Sequence, residues 1–193
     1  MKKTLLAFFA VTLFLPIAAF AGDAKILEVV ERIRIHAPAN VVWGKVNDFG
    51  DLGKWHPAVK KTELVEGEDN VKDAVRVLTL QDGGTIKEKL RSYNAEGMTY
   101  EYQILEGVLP VSSYFSSITV KRGKRGLTSN TTVVWKGYFK RKDTSANPVA
   151  GQDDDTAVKT ITGIYKAGLD NLKKISEETT AIQCPQGAAG PCF

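Results

Sequence analysis

Hydrophobic and polar residues alternate along residues 28–36, with Val29, Ile33 and Ile35 on one side and Arg32 and Arg34 on the other. That period of two describes a half-buried strand. Pro38 suits the first turn of a helix, where its missing N–H costs nothing, and Val42, Val46 and Phe49 follow at helical spacing. Gly50, Gly53 and Pro57 interrupt the pattern, so a short helix pair is expected over about 39–47 and 50–55. Six strands are expected next, at 62–66, 74–80, 85–93, 99–105, 113–122 and 128–141, separated by turn stretches such as "QDGG", "NAEGM" and "GKRG". Beyond an Asp-rich loop at 143–155, Val158, Ile161, Tyr165, Leu169, Leu172 and Ile175 recur every three or four residues. They mark one long amphipathic helix over about 156–177. Asp153, Asp154 and Asp155 at its start and Lys173 and Lys174 near its end suit the helix dipole.

This order implies an α+β domain: a curved antiparallel sheet of about six to seven strands around a long C-terminal helix, with a short helix pair after the first strand. A sheet wrapped around one helix commonly encloses a cavity, and a cavity is expected here.

The chain ends carry different signals. Lys2 and Lys3 precede an apolar run from Leu5 to Phe20 that closes on Ala19-Phe20-Ala21. The run contains Pro16 and is shorter than the roughly 20 residues a spanning helix needs. It reads as a signal peptide, 1–21, cleaved after Ala21, so the mature protein is expected to be exported, which fits a periplasmic location. The domain is then expected over 22–178, followed by a tail, 179–193. Both cysteines, Cys184 and Cys192, lie in that tail within "CPQGAAGPCF". In an oxidising compartment they are expected to form a disulfide that clasps the tail.

Loss of Lys2 and Lys3 takes the formal charge from +4 to +2. So mild a charge argues against nucleic-acid binding, which needs a concentrated basic face. Neither a haem-attachment motif nor a cysteine–histidine zinc pattern is present. No metal or other cofactor is expected.

The segment "DFGDLGKWHPAV" (48–59) holds His56, one of two histidines. A catalytic or metal-binding His needs convergent partners. The nearby Asp48 and Asp51 read equally well as turn and cap residues, and His36 has no sequence reason to converge. His56 is therefore expected to be a packed or rim residue, with Trp55 and Pro57 as rigid apolar bodies at the cavity mouth. Alternation in 85–93 puts Glu88 on the inward face with Ile86 and Leu90. It is the best single candidate for a ligand-orienting or acid/base group, the alternative being a carboxylate paired at the cavity rim. Trp55, Tyr100, Tyr102, Tyr114, Ser116, Trp135 and Phe139 complete the set of candidate cavity-lining residues. Such a set makes a mostly apolar pocket with a few hydroxyls, unless the aromatics fill the interior instead. "KRGKR" at 121–125 supplies Lys121, Arg122, Lys124 and Arg125 as candidate partner-docking residues at a hairpin tip.

The order of elements, with "DFGDLGKWHPAV" after the first helix, resembles the START-like or SRPBCC superfamily, the helix-grip fold. The resemblance covers about residues 25–177. "GGTIKEKLRSYN" (83–94), "TYEYQILEGVLPVSSYFSSITV" (99–120) and "AVKTITGIYKAGLDNLKK" (157–174) are similar to the MxaD branch, periplasmic accessory proteins of methanol oxidation. The resemblance implies a non-catalytic protein with an internal hydrophobic cavity. It would assist methanol dehydrogenase and electron transfer to its cytochrome, with either as its partner. Superfamily relatives that bind lipids, hormones or polyketides imply a second reading, a carrier or sensor of a small apolar ligand. A third, a cyclase- or dehydratase-type enzyme, is weaker: the sequence contains no nucleophile–base pair, phosphate loop or metal set.

Overall fold

The computed structural model describes residues 24–123 and 130–183. Strand β1 (Leu27–Ile35) leads into helix α1 (Ala39–Val46) and a 3₁₀ turn (Phe49–Lys54). Strands β2 (Val59–Glu66), β3 (Val75–Leu80), β4 (Thr85–Asn94), β5 (Thr99–Gly107), β6 (Val111–Arg122) and β7 (Thr131–Arg141) follow, then helix α2 (Asp154–Gln183). All seven strands form one antiparallel sheet in the order β1-β7-β6-β5-β4-β3-β2. The sheet is curved and open, and α2 packs against β1 and β7. This is the expected helix-grip architecture.

Local chemistry explains most of the boundaries. Asp153 starts α2, accepting the Thr156 N–H at 2.8 Å on Oδ1 and the Thr156 hydroxyl at 3.0 Å on Oδ2. The helix continues to Gln183, into the segment read as tail. β2 begins at Val59 rather than Thr62, because the chain resumes pairing immediately after the Pro57 turn. In β6 a bulge between Ser112 and Phe115, with Ser113 at φ 49°, inserts one extra residue. Val111 and Tyr114 can then both face inward, while Phe115 faces out.

The core lies between the sheet's concave face and α2. Its largest fully buried side chains include Trp55, Trp135, Arg76, Tyr100, Tyr165, Phe49 and Phe139. No helix among the described residues is long and apolar enough to cross a membrane. The signal segment, the hairpin residues Lys124 and Arg125, and both Cys184 and Cys192 lie outside the described residues. Lys121 and Arg122 are exposed at the end of β6.

Candidate functional site

The interior contains a cavity of about 70 Å³, with Leu52, Ala58, Leu80, Ile86, Leu109, Ile161 and Ile164 among its apolar lining. Its polar lining comes from His56, Glu88, Tyr102 and Tyr114. Small-molecule sites typically measure about 300–1,000 Å³, so this cavity holds a few waters or a very small molecule. Of the expected lining set, Glu88, Tyr102, Tyr114 and Trp135 border it. Trp55, Tyr100, Ser116 and Phe139 are buried behind that layer, which corrects the placement of Trp55 at the mouth. The aromatic residues fill most of the space that the curved sheet encloses.

Their packing is continuous. Trp135 stacks on Tyr165 of α2 with centroids 4.4 Å apart and planes 11° from parallel. Tyr114 stacks on Phe139 at 5.9 Å, and Trp55 meets Trp135 at 5.6 Å. A directed hydrogen-bond chain runs through the same residues. Ser116 donates to the Lys136 carbonyl at 2.8 Å, which leaves its oxygen to accept from Tyr165 at 2.9 Å. The Tyr165 oxygen then accepts from Tyr114 at 2.5 Å. The Trp135 indole N–H points between the Tyr102 hydroxyl, 3.0 Å away, and Ser116, 3.1 Å away. Burial pushes the Tyr102, Tyr114 and Tyr165 phenols up, so they serve as neutral hydrogen-bonding groups. Tyr165 fits beside β7 because residue 137 is glycine; a Cβ there would overlap its hydroxyl.

Glu88 is buried and faces inward, as alternation indicates, and it is paired with Arg76 of β3. Arg76 Nε donates to Glu88 Oε2 at 2.7 Å, and Nη2 contacts the same oxygen at 2.6 Å. Arg76 Nη1 also donates to the Phe49 carbonyl, and its guanidinium lies 4.1 Å from the Phe49 ring centroid. Burial pushes the Glu88 carboxyl above its ordinary value, and the Arg76 charge and hydrogen bond offset only part of that rise. Burial likewise opposes the Arg76 charge, but Glu88, Tyr100 and Tyr102 outweigh it and hold the guanidinium protonated. This carboxyl thus anchors the 3₁₀ turn through Arg76 while it also lines the cavity.

His56 is buried rather than at the rim, at 2 % exposure. Its Nδ1 accepts the Ala58 N–H at 3.2 Å, so Nε2 carries the proton and donates to the Ile164 carbonyl of α2 at 3.0 Å. Burial lowers its pKa, with the Arg76 charge adding to the effect. With both ring nitrogens engaged, His56 fastens its segment to α2. Asn171 does the same by donating to the Trp55 carbonyl at 2.8 Å. Gly168 permits this approach, since a Cβ there would lie 2.6 Å from His56 Cδ2 and 2.8 Å from Trp135 Cζ3.

Sequence reasoning missed Arg76, which sits between Val75 and Val77, and the role of Tyr165, which it read only as part of the apolar helix stripe. Among the described residues, no three His, Cys, Asp or Glu side chains converge as a metal site requires.

Asp48, at the start of the 3₁₀ turn, lies beside Asp69, whose Oδ1 accepts the Gly50 N–H at 2.6 Å. The shared hydrogen bond with Asp69, together with partial burial, pushes Asp48 up to about 6. A carboxyl with a raised folded-state pKa favours the fold when protonated, so its contribution is lost as pH rises from about 4 to about 6. Asp48→Asn should therefore gain stability relative to wild type over that interval and keep the gain at pH 7. The gain should be about 1 kcal/mol, allowing for the solvent exposure of the pair. Urea unfolding at pH 4 and pH 7 measures it; a difference between the two proteins that does not change with pH would disprove the shared proton.

Comparison with known proteins agrees with this architecture. A family model described as "Polyketide cyclase / dehydrase and lipid transport" matches residues 27–177. The abscisic acid receptor PYL2 of Arabidopsis thaliana is 27% identical over 143 residues, 72% of each chain. The structure of XoxI from Bacillus cereus is similar with a TM-score of 0.68 and 29% identity, covering 79% of this chain and 96% of that one. The ZhuI aromatase/cyclase of a Streptomyces species has a TM-score of 0.64 at 16% identity, covering 85% of this chain and 100% of its own; this is a likeness of fold. With its helix-grip sheet closed over a small interior cavity, the chain belongs to the polyketide cyclase/dehydrase and lipid transport family, within the START-like (SRPBCC) superfamily.

Proposed function

We propose that the protein is a periplasmic, non-catalytic accessory protein of methanol oxidation, similar to MxaD. In this reading it assists methanol dehydrogenase and electron transfer to its cytochrome through protein contacts. The observation that carries the reading is the full interior: a cavity of about 70 Å³ is several-fold smaller than ordinary ligand sites. The groups that would otherwise serve as acid or base are occupied, His56 by Ile164 and Ala58, Glu88 by Arg76. Periplasmic placement rests on the basic and apolar segment before Ala21, and the MxaD branch on the three stretches quoted above.

The expected result is that mature protein, added at stoichiometric amounts, raises the rate of cytochrome reduction by methanol dehydrogenase. An unchanged rate would overturn the proposal.

A second reading is favoured by the cavity itself, whose mostly apolar lining includes the polar side chains Glu88, Tyr102 and Tyr114. In that reading the protein carries or senses a small apolar molecule. Organic extraction of gently purified protein, followed by mass spectrometry, distinguishes the two: a stoichiometric bound molecule would favour the carrier.

A further inference from the structure

The outward face of the sheet holds an arrangement that the interior site does not use. The β6 bulge aligns Phe115 directly opposite Tyr138 of β7, and the two are 48% and 42% exposed. Lys136 Nζ lies 4.6 Å from the centroid of the Tyr138 ring and 2.8 Å from Glu28. Beside this aromatic pair lies a surface groove of about 310 Å³, lined by Arg91, Glu101, Phe115, Ser117, Lys136 and Tyr138. Along the same face the register sets Arg34 of β1 and Lys121 of β6 on either side of Thr132, with Arg32 beside Val134. Arg32, Arg34 and Lys121 are exposed and make no ion pair among the described residues. The strip therefore has an aromatic end with a groove and a cationic end about 20 Å away, at roughly 3.3 Å per residue.

We infer that this strip is a docking surface for an acidic protein surface, which rests on the accessory reading above and assigns it a face of the molecule. Arginines and a lysine held in no close ion pair call for carboxylates on the partner. Exposed aromatics beside a groove provide the apolar anchor that protein interfaces concentrate at their centre. Glu28 and Glu101 lie at the aromatic end, where a flat anionic lipid surface would press against them, whereas a protein can place its carboxylates at the cationic end alone. Three strands spaced about 4.8 Å apart offer only a few hundred Å², below the roughly 800 Å² per partner of a stable complex. The contact is thus transient, steered by charge and sensitive to salt.

The test immobilises the mature protein and measures binding of purified methanol dehydrogenase and of its cytochrome at 50 and 300 mM salt, by biolayer interferometry. Wild type should bind one of them, more weakly at the higher salt. The triple variant Arg32→Glu, Arg34→Glu, Lys121→Glu should lose at least tenfold in affinity and lose its salt dependence. Phe115→Ala with Tyr138→Ala should lose at least tenfold and keep it. Circular dichroism melts of both variants should match wild type, as expected for exposed positions. Wild-type binding left within twofold in both variants would overturn the docking assignment alone. Failure of wild type to bind either protein would overturn the accessory function and the assignment with it. Sedimentation with phosphatidylglycerol vesicles, lost in the variants and unaccompanied by protein binding, would replace the protein partner with a membrane.

Discussion

Arg76→Met is expected to destabilise the protein by about 3–5 kcal/mol, the usual consequence of stripping the partner from a buried charge. The wild-type pair is nearly dry, with side-chain exposures of 1% for Arg76 and 5% for Glu88. Removing the guanidinium leaves the Glu88 carboxylate with no counter-charge and the Phe49 carbonyl without its Arg76 donor. The sign of the pH response follows. Burial alone then sets the Glu88 carboxyl, and it lies well above the ordinary value of 4.5. The variant should regain stability as pH falls through that raised folded-state value, where the buried carboxyl protonates, and the gain is complete near the ordinary value of 4.5. Adding Glu88→Leu should restore stability to within about 2 kcal/mol of wild type at pH 7, because an apolar pair avoids desolvating either ion. Denaturant unfolding of the single and double variants decides the matter. A single variant that costs under 1 kcal/mol, or a double variant no better than the single, would contradict this account of the pair.

Gly168→Ala should also be strongly destabilising, although alanine normally improves a helix interior by about 1 kcal/mol. The new methyl group would meet His56 at 2.6 Å and Trp135 at 2.8 Å. Neither ring can yield easily: His56 is held at both nitrogens, and Trp135 is stacked on Tyr165. Overpacking of about 1–3 kcal/mol, with loss of the His56 bonds at about 1 kcal/mol each, outweighs the helix gain. The net loss should be about 2–4 kcal/mol, seen as a fall in Tm of about 5–15 °C. A Tm equal to or above that of wild type would show that His56 does not fasten its segment to α2. Gly163→Ala, on the same helix with open space around it, is the control and should leave Tm unchanged or raised.

Much of the fold can be read from local pattern, because a strand with one wet face and one dry face announces itself by alternation. β5, β6 and β7 do so, and their inward residues Tyr100, Tyr102, Tyr114, Ser116, Trp135 and Phe139 are all buried. Glu88 was recognisable as inward-facing for the same reason. Its partner was not, since Arg76 lies between two valines and the pairing of β3 with β4 depends on register. Nor can periodicity report volume: the same aromatic list describes both a lined cavity and a filled one, and only packing of Trp135 on Tyr165 decides between them. Gly137 and Gly168 matter because of what approaches them across the fold, which no neighbouring residue in sequence reveals.

The strand order has a consequence for how the chain comes to be folded. β2 through β7 form a meander in which each strand joins its neighbour in sequence, but β1 lies at the sheet edge with β7 as its hydrogen-bonding neighbour, Leu27 opposite Phe139. As the chain leaves the ribosome N-terminus first, β1 has no strand to join until β7 has been made. Pairings of such long sequence separation are slow to form. The closing contact of the fold thus waits for nearly the whole domain, leaving an interval in which the nascent chain has an open sheet edge and no sealed core.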